Sequence, residues 1–97
     1  MVVGGQSNLA LTNCSSIGGG QSNQILSPAS FGSIFGGCGN KVCGQYGYIG
    51  GGRANVVSTP STNGTVSGGF SNTSVGLNAT VGGGTLNTSA GDFSTII

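Results

Sequence analysis

Val66-Ser67-Gly68-Gly69-Phe70-Ser71-Asn72 and Val81-Gly82-Gly83-Gly84-Thr85-Leu86-Asn87 are one phrase written twice: a β-branched residue, any residue, Gly-Gly, two variable residues, then Asn. Four earlier copies run Val2 to Asn8, Ile17 to Asn23, Ile34 to Asn40 and Ile49 to Asn55, and a seventh opens at Ile96-Ile97. The asparagines, Asn8, Asn23, Asn40, Asn55, Asn72 and Asn87, are separated by 15, 17, 15, 17 and 15 residues, a higher period of 32. Self-similarity at a fixed period marks an architecture that stacks one unit on the next.

A Gly pair every 15 to 17 residues excludes a helix. Across each junction the order is small, variable, β-branched, variable, Gly, a period of two, and so a short strand with its β-branched residue facing inward. The expected inward row is Val2, Ile17, Ile34, Ile49, Val66, Val81 and Ile96, and the small row before it is Ser15, Gly32, Gly47, Gly64, Ala79 and Ser94. A second short strand is expected over the eighth to tenth residues of each copy, where the tenth is mostly apolar (Leu11, Leu26, Cys43, Val75, Ala90, with Ser58 the exception). The fold class that follows is all-β, a parallel β-solenoid. It forms one domain over 1–97 with turns starting at 2, 17, 34, 49, 66, 81 and 96. Six turns at roughly 4.8 Å each make a rod segment of about 29 Å.

The turn glycines are Gly4, Gly5, Gly19, Gly20, Gly36, Gly37, Gly51, Gly52, Gly68, Gly69, Gly83 and Gly84. They are expected to let the backbone take φ > 0 or approach a neighbouring wall at tight corners. The recurring Asn has two readings: an inward ladder in which each amide bonds the next, or a local cap on its own turn. Either reading is structural, because a ligand site does not need six equivalent copies. Pro28 and Pro60 are both the twelfth residue of a long copy and cannot donate to a ladder, so small bulges or loops are expected there.

Composition narrows the function classes. Gly (22), Ser (14), Thr (9) and Asn (9) make up more than half of the 97 residues, while Lys41, Arg53 and Asp92 carry the only charged side chains. Without His or Glu, and with one Asp, there is no carboxylate pair, no triad and no cluster for a metal, so neither catalysis nor a cofactor is expected. Two basic residues cannot neutralise a run of phosphates, which argues against nucleic acid. No apolar stretch approaches the roughly 20 residues of a membrane-spanning helix. Met1-Val2-Val3 runs at once into Gly4-Gly5 rather than into a signal-peptide core, so if the protein is secreted its export address is expected to lie outside these residues. Cys14, Cys38 and Cys43 match no zinc spacing; free thiols, a Cys38 to Cys43 disulfide and an interchain bridge all remain open. Five sequons, at Asn13, Asn63, Asn72, Asn78 and Asn87, are as many as chance gives in a chain this rich in Asn, Ser and Thr.

The stretches Val66 to Gly84 and Asn87 to Ile96 resemble the Gly-rich head repeats of trimeric autotransporter adhesins and similar repeats of phage and giant-virus fibre proteins. The resemblance covers essentially the whole chain. It implies a parallel β-roll of one turn per repeat, three chains around a common axis, an extracellular, cell-surface or virion location, and work as a fibre shaft or adhesive head that meets a host or surface receptor. The 17-residue copies with proline, and Cys38, Cys43, Tyr46 and Tyr48 of the third copy, depart from that pattern.

The chain is also similar to solenoid antifreeze proteins, and ice binding would need a flat, regular array of Thr. Here the last residue of each copy reads Ser16, Ser33, Tyr48, Thr65, Thr80, Thr95, a hydroxyl row broken by Tyr48. So narrow a coil buries few apolar side chains per turn, which favours association: a homotrimer, or a head-to-tail homopolymer with Val2, Val3, Ile96 and Ile97 in axial contact. The latter would make the chain a subunit of a self-polymerising matrix filament. Phe31, Phe35, Phe70, Phe93, Tyr46 and Tyr48 are the exposed candidates for an interface between chains.

Overall fold

The structure, a computed structural model, describes residues 1–27, 29–59 and 62–97. The insertions expected at Pro28 and Pro60 therefore lie outside the described residues. Next to the first of them, Ala29 is buried and its carbonyl accepts a hydrogen bond from Thr12 Oγ1 at 2.9 Å.

The described residues form twelve two-residue strands and no helix. In chain order they are β1 (Leu9–Ala10), β2 (Ser16–Ile17), β3 (Gln24–Ile25), β4 (Ser33–Ile34), β5 (Lys41–Val42), β6 (Tyr48–Ile49), β7 (Val56–Val57), β8 (Thr65–Val66), β9 (Thr73–Ser74), β10 (Thr80–Val81), β11 (Thr88–Ser89) and β12 (Thr95–Ile96). Odd strands stack into one parallel sheet, β1-β3-β5-β7-β9-β11, and even strands into another, β2-β4-β6-β8-β10-β12. Ile17 pairs with Ile34, Ile34 with Ile49, Ile49 with Val66, Val66 with Val81 and Val81 with Ile96, so each copy is one turn of a parallel β-solenoid. A third, narrow row is built from single bridges, Gln6–Gln21–Cys38–Arg53–Phe70–Thr85. The molecule measures 32 × 24 × 12 Å, and its least dimension matches two sheets packed about 10 Å apart.

The core is two columns. Ile17, Ile34, Ile49, Val66 and Val81 are fully buried from the even sheet, and Ile25, Val42 and Val57 meet them from the odd sheet. Two members of the expected inward row fall short: Val2 is 40% exposed and Ile96 half-buried, because each has a neighbouring turn on one side only. The second strand is also one residue shorter than expected. Its inward residue is the ninth of the copy, not the apolar tenth, and that column reads Ala10, Ile25, Val42, Val57, Ser74, Ser89.

That column changes from aliphatic to serine, and the small row changes with it. Where the ninth residue is Ile25, Val42 or Val57, the small position of the same turn is Gly32, Gly47 or Gly64. Where it is Ser74 or Ser89, the small position grows to Ala79 or Ser94, and Ser74 Oγ donates to the Ala79 carbonyl at 2.9 Å while Ser89 Oγ pairs with Ser94 Oγ. The exchange conserves volume within each turn. A β-carbon at Gly47 would lie 2.6 Å from Val42 Cγ1 and 2.9 Å from the Gly44 carbonyl oxygen.

Gly47→Ala is therefore expected to destabilise by about 1–3 kcal/mol through overpacking. Val42→Ser is expected to cost a similar amount through lost burial. In urea titrations the double variant should lose less than the sum of the two, because the smaller side chain makes room for the added methyl; strict additivity would show that the two positions do not share space.

Three left-handed corners recur in every turn. The fourth residue of each copy is Gly5, Gly20, Gly37, Gly52, Gly69 or Gly84, with φ between +88° and +96°. The sixth is Ser7, Ser22, Gly39, Ala54, Ser71 or Leu86, and the residue three before each new copy is Cys14, Phe31, Tyr46, Asn63, Asn78 or Phe93, all near +60°. For a bulky residue this region is strained. Each strained amide of this last set from Phe31 onward donates to the preceding turn, as in Phe31 N to Asn13 O at 3.0 Å and Asn63 N to Gln45 O at 2.9 Å.

Candidate functional site

The repeated asparagines form one row inside the solenoid. Asn23, Asn40, Asn55 and Asn72 are fully buried, while Asn8 and Asn87, with a neighbour on one side only, are half-buried. At Asn55 the side-chain Nδ2 donates to the Gly51 carbonyl of its own turn and to the Gly69 carbonyl of the next, both at 2.9 Å. Its Oδ1 accepts the backbone N–H of Asn72 at 2.9 Å. The same three bonds recur at Asn23, Asn40 and Asn72.

The two readings of the row are thus combined, with one change. Each amide caps its own turn and ties the next, but it does so through backbone groups. Amide bonds amide at one place in the row, Asn23 Nδ2 to Asn8 Oδ1 at 3.2 Å. Burying a primary amide without partners costs several kcal/mol, so the row is tenable because each amide is paired. Among the described residues no buried side-chain nitrogen or oxygen lacks a partner.

The turn glycines divide. At Gly52 a β-carbon would lie 2.2 Å from the Gly69 carbonyl oxygen and 2.7 Å from Asn55 Nδ2, and every fourth-position glycine from Gly5 to Gly69 is blocked in this way. The third-position glycines behave otherwise. A β-carbon at Gly4, Gly19, Gly36, Gly51 or Gly83 would meet nothing within 4 Å, and at Gly68 only an ordinary 4.0 Å contact. Their φ is not positive. The expectation that both glycines of the pair serve the corner is corrected to the second alone; what the first supplies is a carbonyl for the Asn side chain.

The outward rows are mixed. Thr65, Thr80 and Thr95 stand in register on β8, β10 and β12, continuing the row of Ser16, Ser33 and Tyr48. The parallel outward row reads Val3, Gly18, Phe35, Gly50, Ser67, Gly82, so no second rank of Thr runs beside the first. At the corners, Phe31 and Tyr46 stack with ring centroids 5.1 Å apart and planes 4° from parallel. Asn63 Nδ2 donates to Asn78 Oδ1 at 3.0 Å in the next pair of turns. These corner pairings were not visible in the sequence, because they couple positions a full turn apart that carry different residue types.

The three charges are dispersed. Arg53 lies over the Phe70 ring at 5.6 Å on the narrow row, Asp92 accepts the Leu77 N–H at 3.0 Å, and Lys41 is exposed on β5. Cys14, Cys38 and Cys43 are free thiols. Among the described residues no group of His, Cys, Asp or Glu is placed to hold a metal, and no helix is long and apolar enough to cross a membrane. A hollow of about 230 Å³ lies on the even sheet's outer face, with Met1, Val3, Gly18, Phe35 and Tyr48 among the residues that line it. In comparisons with known proteins, no family model matches the chain and no curated protein matches it.

Proposed function

We propose that the chain is a rigid structural segment of an extracellular or virion fibre, a shaft or adhesive head, and that it is not an enzyme. The observation that carries this reading is the asparagine row. One donated and one accepted side-chain bond per turn tie each coil to the next in the interior while a second donated bond braces the coil's own corner, so the solenoid resists bending and shear without relying on charge or a large core. Such a repeat serves length and stiffness, and the outer rows are free to vary. The resemblance to trimeric adhesin and viral fibre repeats supports the same reading and implies assembly of three chains. A homopolymer built head to tail through Val2, Val3, Ile96 and Ile97 is the other arrangement a fibre admits.

Light scattering and electron microscopy on the native particle test it. Elongated particles, either of three chains at constant mass or as open-ended filaments, support a fibre role. A stable monomer at every concentration contradicts it. The file of Thr65, Thr80 and Thr95 favours ice binding as the second reading, and ice-crystal shaping by that monomer would establish it instead.

A further inference from the structure

We propose that two copies of this chain pair through the outer face of the even sheet, with Phe35 of each copy seated in the notch over Gly18 of the other. The inference does not rest on the fibre reading.

In the first four turns the outward row of this face alternates between a side chain and none: Val3, Gly18, Phe35, Gly50. The gaps are imposed by the backbone path. A β-carbon at Gly18 would lie 2.4 Å from the Phe35 carbonyl oxygen, and one at Gly50 2.4 Å from that of Ser67. The chain therefore cannot fill these notches itself. The knobs between them project into solvent, with Val3 70% and Phe35 76% exposed. Knobs two turns apart are separated by about 9.6 Å, which leaves the hollow of about 230 Å³ over Gly18.

The order knob, notch, knob, notch is its own complement when reversed. A two-fold axis lying in the interface plane, parallel to the strands and level with the midpoint between Gly18 and Phe35, sets Phe35 over the second copy's Gly18 and Val3 over its Gly50, and the reverse pairs follow by symmetry. The sizes agree. The Gly18 notch is open and receives the larger Phe35. The Gly50 notch is half filled by Tyr48, whose Oη lies 3.3 Å from the position of a Gly50 β-carbon, and it receives the smaller Val3.

The polar groups of the face tolerate burial. Ser16 Oγ and Ser33 Oγ, beside the hollow, bond each other at 3.2 Å. Neither outward row of this sheet carries a charged side chain, whereas Lys41 is on the opposite sheet and Arg53 on the narrow row. Four overlapping turns of about 4.8 Å, across a molecule 24 Å wide, cover at most about 460 Å² per copy. That is below the roughly 800 Å² per partner of a stable complex, so the pair is a reversible, concentration-dependent dimer.

Sedimentation equilibrium from about 10 μM to about 1 mM tests the proposal on the intact chain. The mass should rise from 9.3 kDa toward twice that value. Phe35→Ser, at an exposed position, should leave the circular dichroism and melting temperature unchanged and weaken dimerisation about 30-fold or more, as loss of an aromatic anchor does. Leu11→Ser, at an exposed position on the opposite sheet's face, should leave dimerisation unchanged. A monomer throughout the range, a dimer indifferent to Phe35→Ser, or a trimer would each overturn it.

Discussion

Asn55→Ala is expected to remove about 3 kcal/mol or more of stability, enough to bring a chain of this size close to unfolding at room temperature. The truncation strands three backbone groups: the Gly51 and Gly69 carbonyls lose their donor, and the Asn72 N–H loses its acceptor. Each buried group left unpaired costs about 1–3 kcal/mol, and a fully buried site gives water no route to replace the amide. Asn8→Ala is the control. Asn8 makes equivalent bonds to Gly4, Gly20 and the Asn23 N–H, yet it is half-buried, and solvent can take over part of the work. Urea unfolding of the two variants should show the loss at position 55 at least twice that at position 8. Equal losses would mean that the bonds count but their burial does not.

The second large effect separates two adjacent glycines. Gly52→Ala forces a β-carbon to 2.2 Å from a carbonyl oxygen at φ +88°, and should cost about 3 kcal/mol or more from combined overpacking and backbone strain. For a domain of this size that lowers Tm by about 12 °C or more. Gly51→Ala adds its methyl to open space at an ordinary φ. It should leave Tm within a few degrees of the parent, and on the high side, because Ala reduces the freedom of the unfolded chain. A thermal melt that ranked the two variants the other way would show that the third-position glycine, not the fourth, makes the corner.

The contrast also shows where sequence reading stops. Gly51 and Gly52 are alike in the repeat, and only the path of the neighbouring turn distinguishes them. The β-branched row and the asparagine spacing were legible because each is written by one residue type at a fixed interval, and they gave the all-β parallel solenoid and its turns. The second core column was hidden. It runs from Ile25 to Ser89 without a common residue type, since the small row compensates its volume, while the outward tenth position happened to be mostly apolar. The asparagine partners were half legible. A cap on the same turn follows from local sequence, but bonds to Gly69 and to the Asn72 N–H need the register between a 15-residue and a 17-residue turn. The alternation of Val3, Gly18, Phe35 and Gly50 was likewise on view, and it acquires meaning only once those four residues stand in one outward row.

The claim on which the rest depends is that consecutive asparagines are bonded through the interior, side chain to backbone. Scalar coupling across hydrogen bonds, measured by NMR on labelled protein, reads this directly. The account predicts couplings from the Asn40 amide nitrogen to the Asn23 side-chain carbonyl carbon, from Asn55 to Asn40 and from Asn72 to Asn55, with slow hydrogen exchange at all three amides. Absence of these couplings, together with exchange as fast as at the chain ends, would contradict it.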